Sequence, residues 1–132
     1  MEHKIKTFED ALALSGTEKE KAFFANKELL AQLEPDEIAY KKLKVIHRAL
    51  NTAESGEVKK TNWNDGSWKY FPWLEVEASE EQPAGVGFSN AYCANAFSHS
   101  TVGSRLCNNI SSDLAIYAGK QFAQEYKEFW LE

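Results

Sequence analysis

The chain of 132 residues has two cysteines, three histidines, three prolines and one methionine. Two cysteines are too few for a disulfide scaffold or a four-thiolate zinc centre. Cys93, His99 and Cys107 are separated by five and seven residues. No common zinc pattern has that spacing, so neither a metal nor any other cofactor is expected. No run approaches the ~18 apolar residues of a membrane span. Met1-Glu2-His3-Lys4 lacks the apolar stretch of a signal peptide. A cytoplasmic protein with reduced thiols and no membrane partner is therefore expected. Neither G-x-x-x-x-G-K-S/T nor G-x-G-x-x-G occurs, so phosphate-loop and dinucleotide readings have no support. Ser98-His99-Ser100 is the only close Ser/His neighbourhood, and adjacent loop residues seldom face each other as nucleophile and base. Basic residues are outnumbered, 15 to 20, for a net charge of −5. That balance disfavours tight non-specific binding to nucleic acid, which depends on Lys and Arg neutralising phosphates.

Aromatic residues, by contrast, are plentiful, with four Trp, five Tyr and eight Phe. The densest segment is Trp68-Lys69-Tyr70-Phe71-Pro72-Trp73-Leu74-Glu75-Val76. Each large apolar side chain there contributes roughly 1.5–3 kcal/mol if buried. The segment reads as the first strand of a small antiparallel sheet. Pro72 cannot donate to a ladder, which makes the strand an edge or bulges it there. Alternation puts Trp68, Tyr70, Leu74 and Val76 on one face and Lys69, Phe71, Trp73, Glu75 and Glu77 on the other. Residues 85–92 read as a second strand and 102–107 as a third, with Val102 and Leu106 towards the core. A hairpin centred near Ser100 sets Cys93 opposite Cys107, within reach of a disulfide.

Helices flank the strands. Thr7 caps a short helix that Gly16 ends. Thr17, with Glu20 three residues on, forms a capping box for a second helix reaching Leu33, charge-rich enough to fray. Pro35 starts a third, in which Ala39, Leu43, Ile46 and Leu50 make one apolar stripe from Ile38 to about Thr52. His47 is expected at the surface or edge of that helix. Ser111 or Ser112 caps a last helix whose apolar face is Ala115, Ala118, Phe122, Tyr126 and Phe129. Leu131-Glu132 are given no role. The expected fold is α+β in a single domain, residues 1–132. Helical segment 1–34 leads into a core over 35–130, where a three-stranded antiparallel meander is covered by the C-terminal helix.

Val102-Gly103-Ser104-Arg105-Leu106-Cys107, Leu114-Ala115-Ile116-Tyr117-Ala118-Gly119-Lys120-Gln121-Phe122 and Tyr126-Lys127-Glu128-Phe129 carry a likeness. So do Thr7-Phe8-Glu9-Asp10-Ala11 and Tyr70-Phe71-Pro72-Trp73. Together they resemble a group of short uncharacterised proteins of bacteria and their phages or mobile elements. The resemblance implies that setting and no activity.

Two surfaces stand out as candidates for recognition. Phe71 and Trp73, with Arg105 beside them, form an aromatic platform for a base, peptide or sugar if their face is left open; a second layer of helices would make them core. Lys41, Lys42, Lys44 and Arg48 make the basic face of the 38–52 helix, suited to nucleic acid or an acidic partner. The leading expectation is a small non-enzymatic binding or interaction protein with a protein or peptide partner. A nucleic-acid accessory protein using the basic face is the second reading. An enzyme with a polar pocket around His47 or His99 is the third.

Overall fold

A computed structural model describes residues 3–56, 68–72, 74–75, 87–88, 92–94 and 104–131. Helix dominates these residues: α1 is Phe8–Ser15, α2 Glu18–Ala25, α3 Lys27–Ala31, α4 Pro35–Ser55, α5 Ser112–Gln121 and α6 Ala123–Trp130.

Side chains set most helix starts. The Thr7 hydroxyl accepts from the Asp10 N–H at 3.1 Å, and the Asp10 carboxylate accepts from the Thr7 and Lys6 N–H groups at 3.1 and 3.0 Å. Thr17 and Glu20 form the same reciprocal box on α2. Each box satisfies donors that a helix start leaves orphaned. Asn26 splits the helix expected over 17–33. Its side-chain oxygen accepts from the Glu28 and Leu29 N–H groups at 3.1 and 3.2 Å, which ends α2 and caps α3. Pro35 opens α4, and Gly56 closes it at φ 80°, a left-handed conformation that costs a residue with a Cβ. The last helix is also two: Phe122, at φ −112° and ψ 32°, separates α5 from α6.

Helix α4 is the axis of the fold. It packs against α1, α5, α6 and a 3₁₀ turn at Ser104–Leu106. The stripe Ala39, Leu43, Ile46 and Leu50 is buried, and so are Val45, His47 and Ala49. Ile5, Phe8 and Ala11 close one side of α4; Leu106, Leu114, Ala118, Phe122 and Tyr126 close another. The start of the N-terminal segment, through α1, thus belongs to the core, whereas α2 and α3 have no buried residue; Leu131 packs against the core as well.

The expected three-stranded meander is not formed. Among the described residues strand structure is confined to short pairings: β1 (Lys69–Phe71) runs antiparallel to β4 (Tyr92–Ala94), and β2 (Leu74–Glu75) to β3 (Gly87–Phe88). The expected third strand is instead the 3₁₀ turn, followed by one isolated bridge from Asn108 to Tyr70. Leu106 inward and Arg105 outward is an alternation too short to separate a strand from a 3₁₀ turn. The bridge sits on the side of β1 away from β4. Tyr70 exchanges both backbone hydrogen bonds with Asn108, at 2.7 and 2.9 Å, and lies in register with Cys93 of β4. Cys93 and Asn108 are therefore two interstrand spacings apart, about 9–10 Å. Cys107, next to Asn108, is in no disulfide, so the expected bridge to Cys93 is not formed. Phe71 pairs with Tyr92 and Leu74 with Phe88, so the two pairings differ in register by one residue.

Candidate functional site

Of the expected aromatic platform, Phe71 and Arg105 fall among the described residues. Phe71 is 8% exposed and Lys69 beside it is buried, whereas Trp68 is 51% exposed. The face of β1 that carries Lys69 and Phe71 is thus covered, which at Phe71 is the core alternative rather than the open platform. Trp73 lies outside the described residues. Arg105 is exposed on the 3₁₀ turn, and its charge is felt by Lys44.

The basic face divides in two. At 3.6 residues per turn, Lys41, Lys44 and Arg48 fall within about 60° of one another around α4, and Lys42 is about 100° from Lys41. Lys42 lies over the Phe8 ring, 5.5 Å from its centroid. Arg48 is committed to the fold. Its guanidinium donates to the Ser15 carbonyl at 3.2 Å, through Nε, and pairs with the Glu20 carboxylate through its other end. It thereby holds the C-terminal end of α1 and the first turn of α2 against α4. Ser15 adds a hydroxyl bond to the Val45 carbonyl at 3.3 Å.

With α2 held there, a groove of about 350 Å³ opens between it and α4, lined by Lys19, Glu20, Phe23, Phe24, Lys41 and Lys44. Helical spacing explains the set. Lys19 and Phe23, and Glu20 and Phe24, are i, i+4 neighbours on α2; Lys41 and Lys44 are i, i+3 neighbours on α4. Phe23 and Phe24 meet edge to face at 5.1 Å, and Phe24 meets Phe8 at 4.7 Å, which fixes the ring pair against the core. The Lys41 ammonium sits 4.9 Å from the Phe23 centroid and the Lys44 ammonium 5.1 Å from that of Tyr40. Burial, then the charges of Lys41 and Arg105, hold Lys44 below its ordinary pKa; Glu20 opposes that shift and Arg48 adds to it. Among the described residues the groove therefore carries three ammonium groups and one carboxylate, which is already paired with Arg48. Sequence reading found Lys41 and Lys44 but missed Lys19, Phe23 and Phe24, whose only signal was a short apolar pair in a charged segment.

A second polar cluster lies in the core. His47, expected at a surface or edge, is 2% exposed and hydrogen-bonds the Tyr126 hydroxyl. Burial lowers the His47 pKa to about 4. Burial first, and the adjacent Cys107 second, raise that of Tyr126 well above its ordinary value. Cys107 is itself buried, and its carbonyl accepts from the Asn51 side chain at 3.1 Å. A substrate cannot reach groups this enclosed, so the cluster is a packing device rather than the polar pocket of the enzymatic reading. His99 lies outside the described residues. Among those residues no group of three or more His, Cys, Asp or Glu side chains is placed to hold a metal, and no helix is long and apolar enough to cross a membrane.

Fold and groove together define a small, mostly helical protein with a cationic, aromatic-lined groove between two helices. No protein-family model, curated protein or solved structure matches the chain.

Proposed function

We propose that this is a non-enzymatic binding protein whose ligand is anionic and occupies the α2/α4 groove. One observation carries the reading: Lys19, Lys41 and Lys44 converge on a groove where Glu20, the only acid among the described lining residues, is paired with Arg48. Crowded ammonium groups repel one another, and an anion relieves that repulsion. Arg105 adds positive charge at the margin beside Lys44. The overall charge of −5 weighs against a long polyanion and for a ligand confined to the groove. A reducing compartment such as the cytoplasm suits the buried Cys107 thiol.

The test is a titration with inorganic phosphate followed by amide resonances. Shifts confined to α2 and the Lys41–Lys44 turn, weakening as salt rises and lost in Lys41→Met/Lys44→Met, support the proposal. A response that is absent, or unchanged in the double variant, refutes it.

A further inference from the structure

The groove has two chemistries side by side, ammonium groups from both helices and a pair of phenylalanine rings. A site for a bare inorganic anion needs only the first. A site for a neutral apolar ligand needs only the second. We infer that the ligand is a phosphate monoester of a planar aromatic group, its phosphate between Lys41, Lys44 and Lys19 and its ring against Phe23 and Phe24. This rests on the anion-binding reading and specifies its substrate class.

Size agrees with one such molecule. A volume of about 350 Å³ lies at the small end of small-molecule sites. It accommodates one ring system with its phosphate and not a strand of several nucleotides. Charge agrees as well. A phosphate monoester carries close to two negative charges at neutral pH and offers three acceptor oxygens. The groove offers three ammonium groups, each a compact donor that binds phosphate as a point charge. A zwitterion such as an amino acid needs a carboxylate for its own ammonium, and Glu20 is engaged by Arg48.

Lys41 connects the two halves. Its ammonium covers the Phe23 ring at 4.9 Å. A charge-assisted bond to phosphate is stronger than a half-exposed cation–ring contact. Lys41 therefore leaves the ring as phosphate arrives, and the uncovered face of Phe23 receives the aromatic group of the ligand. Phe24 stays fixed between Phe8 and Phe23 and forms the rigid wall.

The experiment compares inorganic phosphate, phenyl phosphate and phenol by calorimetry, with the ring resonances of Phe23 and Phe24 followed in parallel. Phenyl phosphate is expected to bind roughly ten-fold tighter than inorganic phosphate and to shift the Phe23 ring resonances, with phenol weakest. Phe23→Leu should remove the advantage of phenyl phosphate and leave inorganic phosphate unaffected. Lys41→Met/Lys44→Met should bring phenyl phosphate down to the level of phenol, and that variant decides the matter if Phe23→Leu fails to fold. Equal affinity for the two phosphates overturns the aromatic class and leaves the anion groove standing. Phenol binding as tightly as phenyl phosphate, or no response to either phosphate, overturns both.

Discussion

The imidazole of His47 on α4 and the hydroxyl of Tyr126 on α6 hydrogen-bond each other inside the core, 2% and 0% exposed. Neither group has water as an alternative partner, so each satisfies the other.

Removing one member should cost more than removing both. Tyr126→Phe leaves a buried imidazole nitrogen unsatisfied and should destabilise the protein by about 1–3 kcal/mol. His47→Leu/Tyr126→Phe should recover part of that loss. Urea denaturation of the two single variants and the double variant gives the coupling, and strict additivity would count against the bond.

His47 should also set an acid limit. Its pKa is lowered by burial from 6.5 to about 4 in the folded chain. Between those values the unfolded chain binds the extra proton, so stability rises with pH there. The stability present above pH 6.5 is lost progressively as pH falls towards the folded value, on the order of 3 kcal/mol in all. The midpoint of urea unfolding, measured across this range, should flatten in His47→Leu. An unchanged slope would mean that another group carries it.

Arg48 should act as a joint rather than as a ligand contact. Arg48→Lys cannot serve the Ser15 carbonyl and the Glu20 carboxylate together and should cost about 1 kcal/mol at this half-exposed site. Hydrogen exchange should accelerate in α2 more than in α5. Uniform acceleration would show that the joint does not govern α2 in particular.

Two glycines should resist alanine for different reasons. A Cβ on Gly16 would stand 2.5 Å from the Leu12 carbonyl oxygen and 2.7 Å from a Leu12 methyl, so Gly16→Ala forces backbone to move, at about 1–3 kcal/mol. Gly56 has open space around it but φ of +80°, so Gly56→Ala costs about 1–2 kcal/mol of conformational strain. Gly56→Asn should be milder than Gly56→Ala, because Asn tolerates the left-handed region, and Gly16→Asn should be no milder than Gly16→Ala. Thermal unfolding of the four variants distinguishes the two causes.

Local chemistry was legible in the sequence, and long-range partnership was not. Thr7, Thr17 and Pro35 announce helix starts because their roles reach only three or four residues. The stripe of α4 was legible because its period repeats over several turns. The break at Phe122 was not, since Ala118, Phe122 and Tyr126 keep helical spacing across it. Val102 to Cys107 misled because an in-and-out pattern of a few residues fits a strand and a 3₁₀ turn equally. His47 looked peripheral because its partner is 79 residues away. In the groove Lys41 and Lys44 could be found from α4 alone, whereas Phe23 and Phe24 gained meaning only once Arg48 set α2 beside them.

The bridge between Tyr70 and Asn108 has a consequence for how the molecule behaves in company. With Cys93 on one flank and Asn108 on the other, the backbone at Tyr70 offers no vacant ladder to a stranger. At Tyr70 the chain thereby offers no template for self-association.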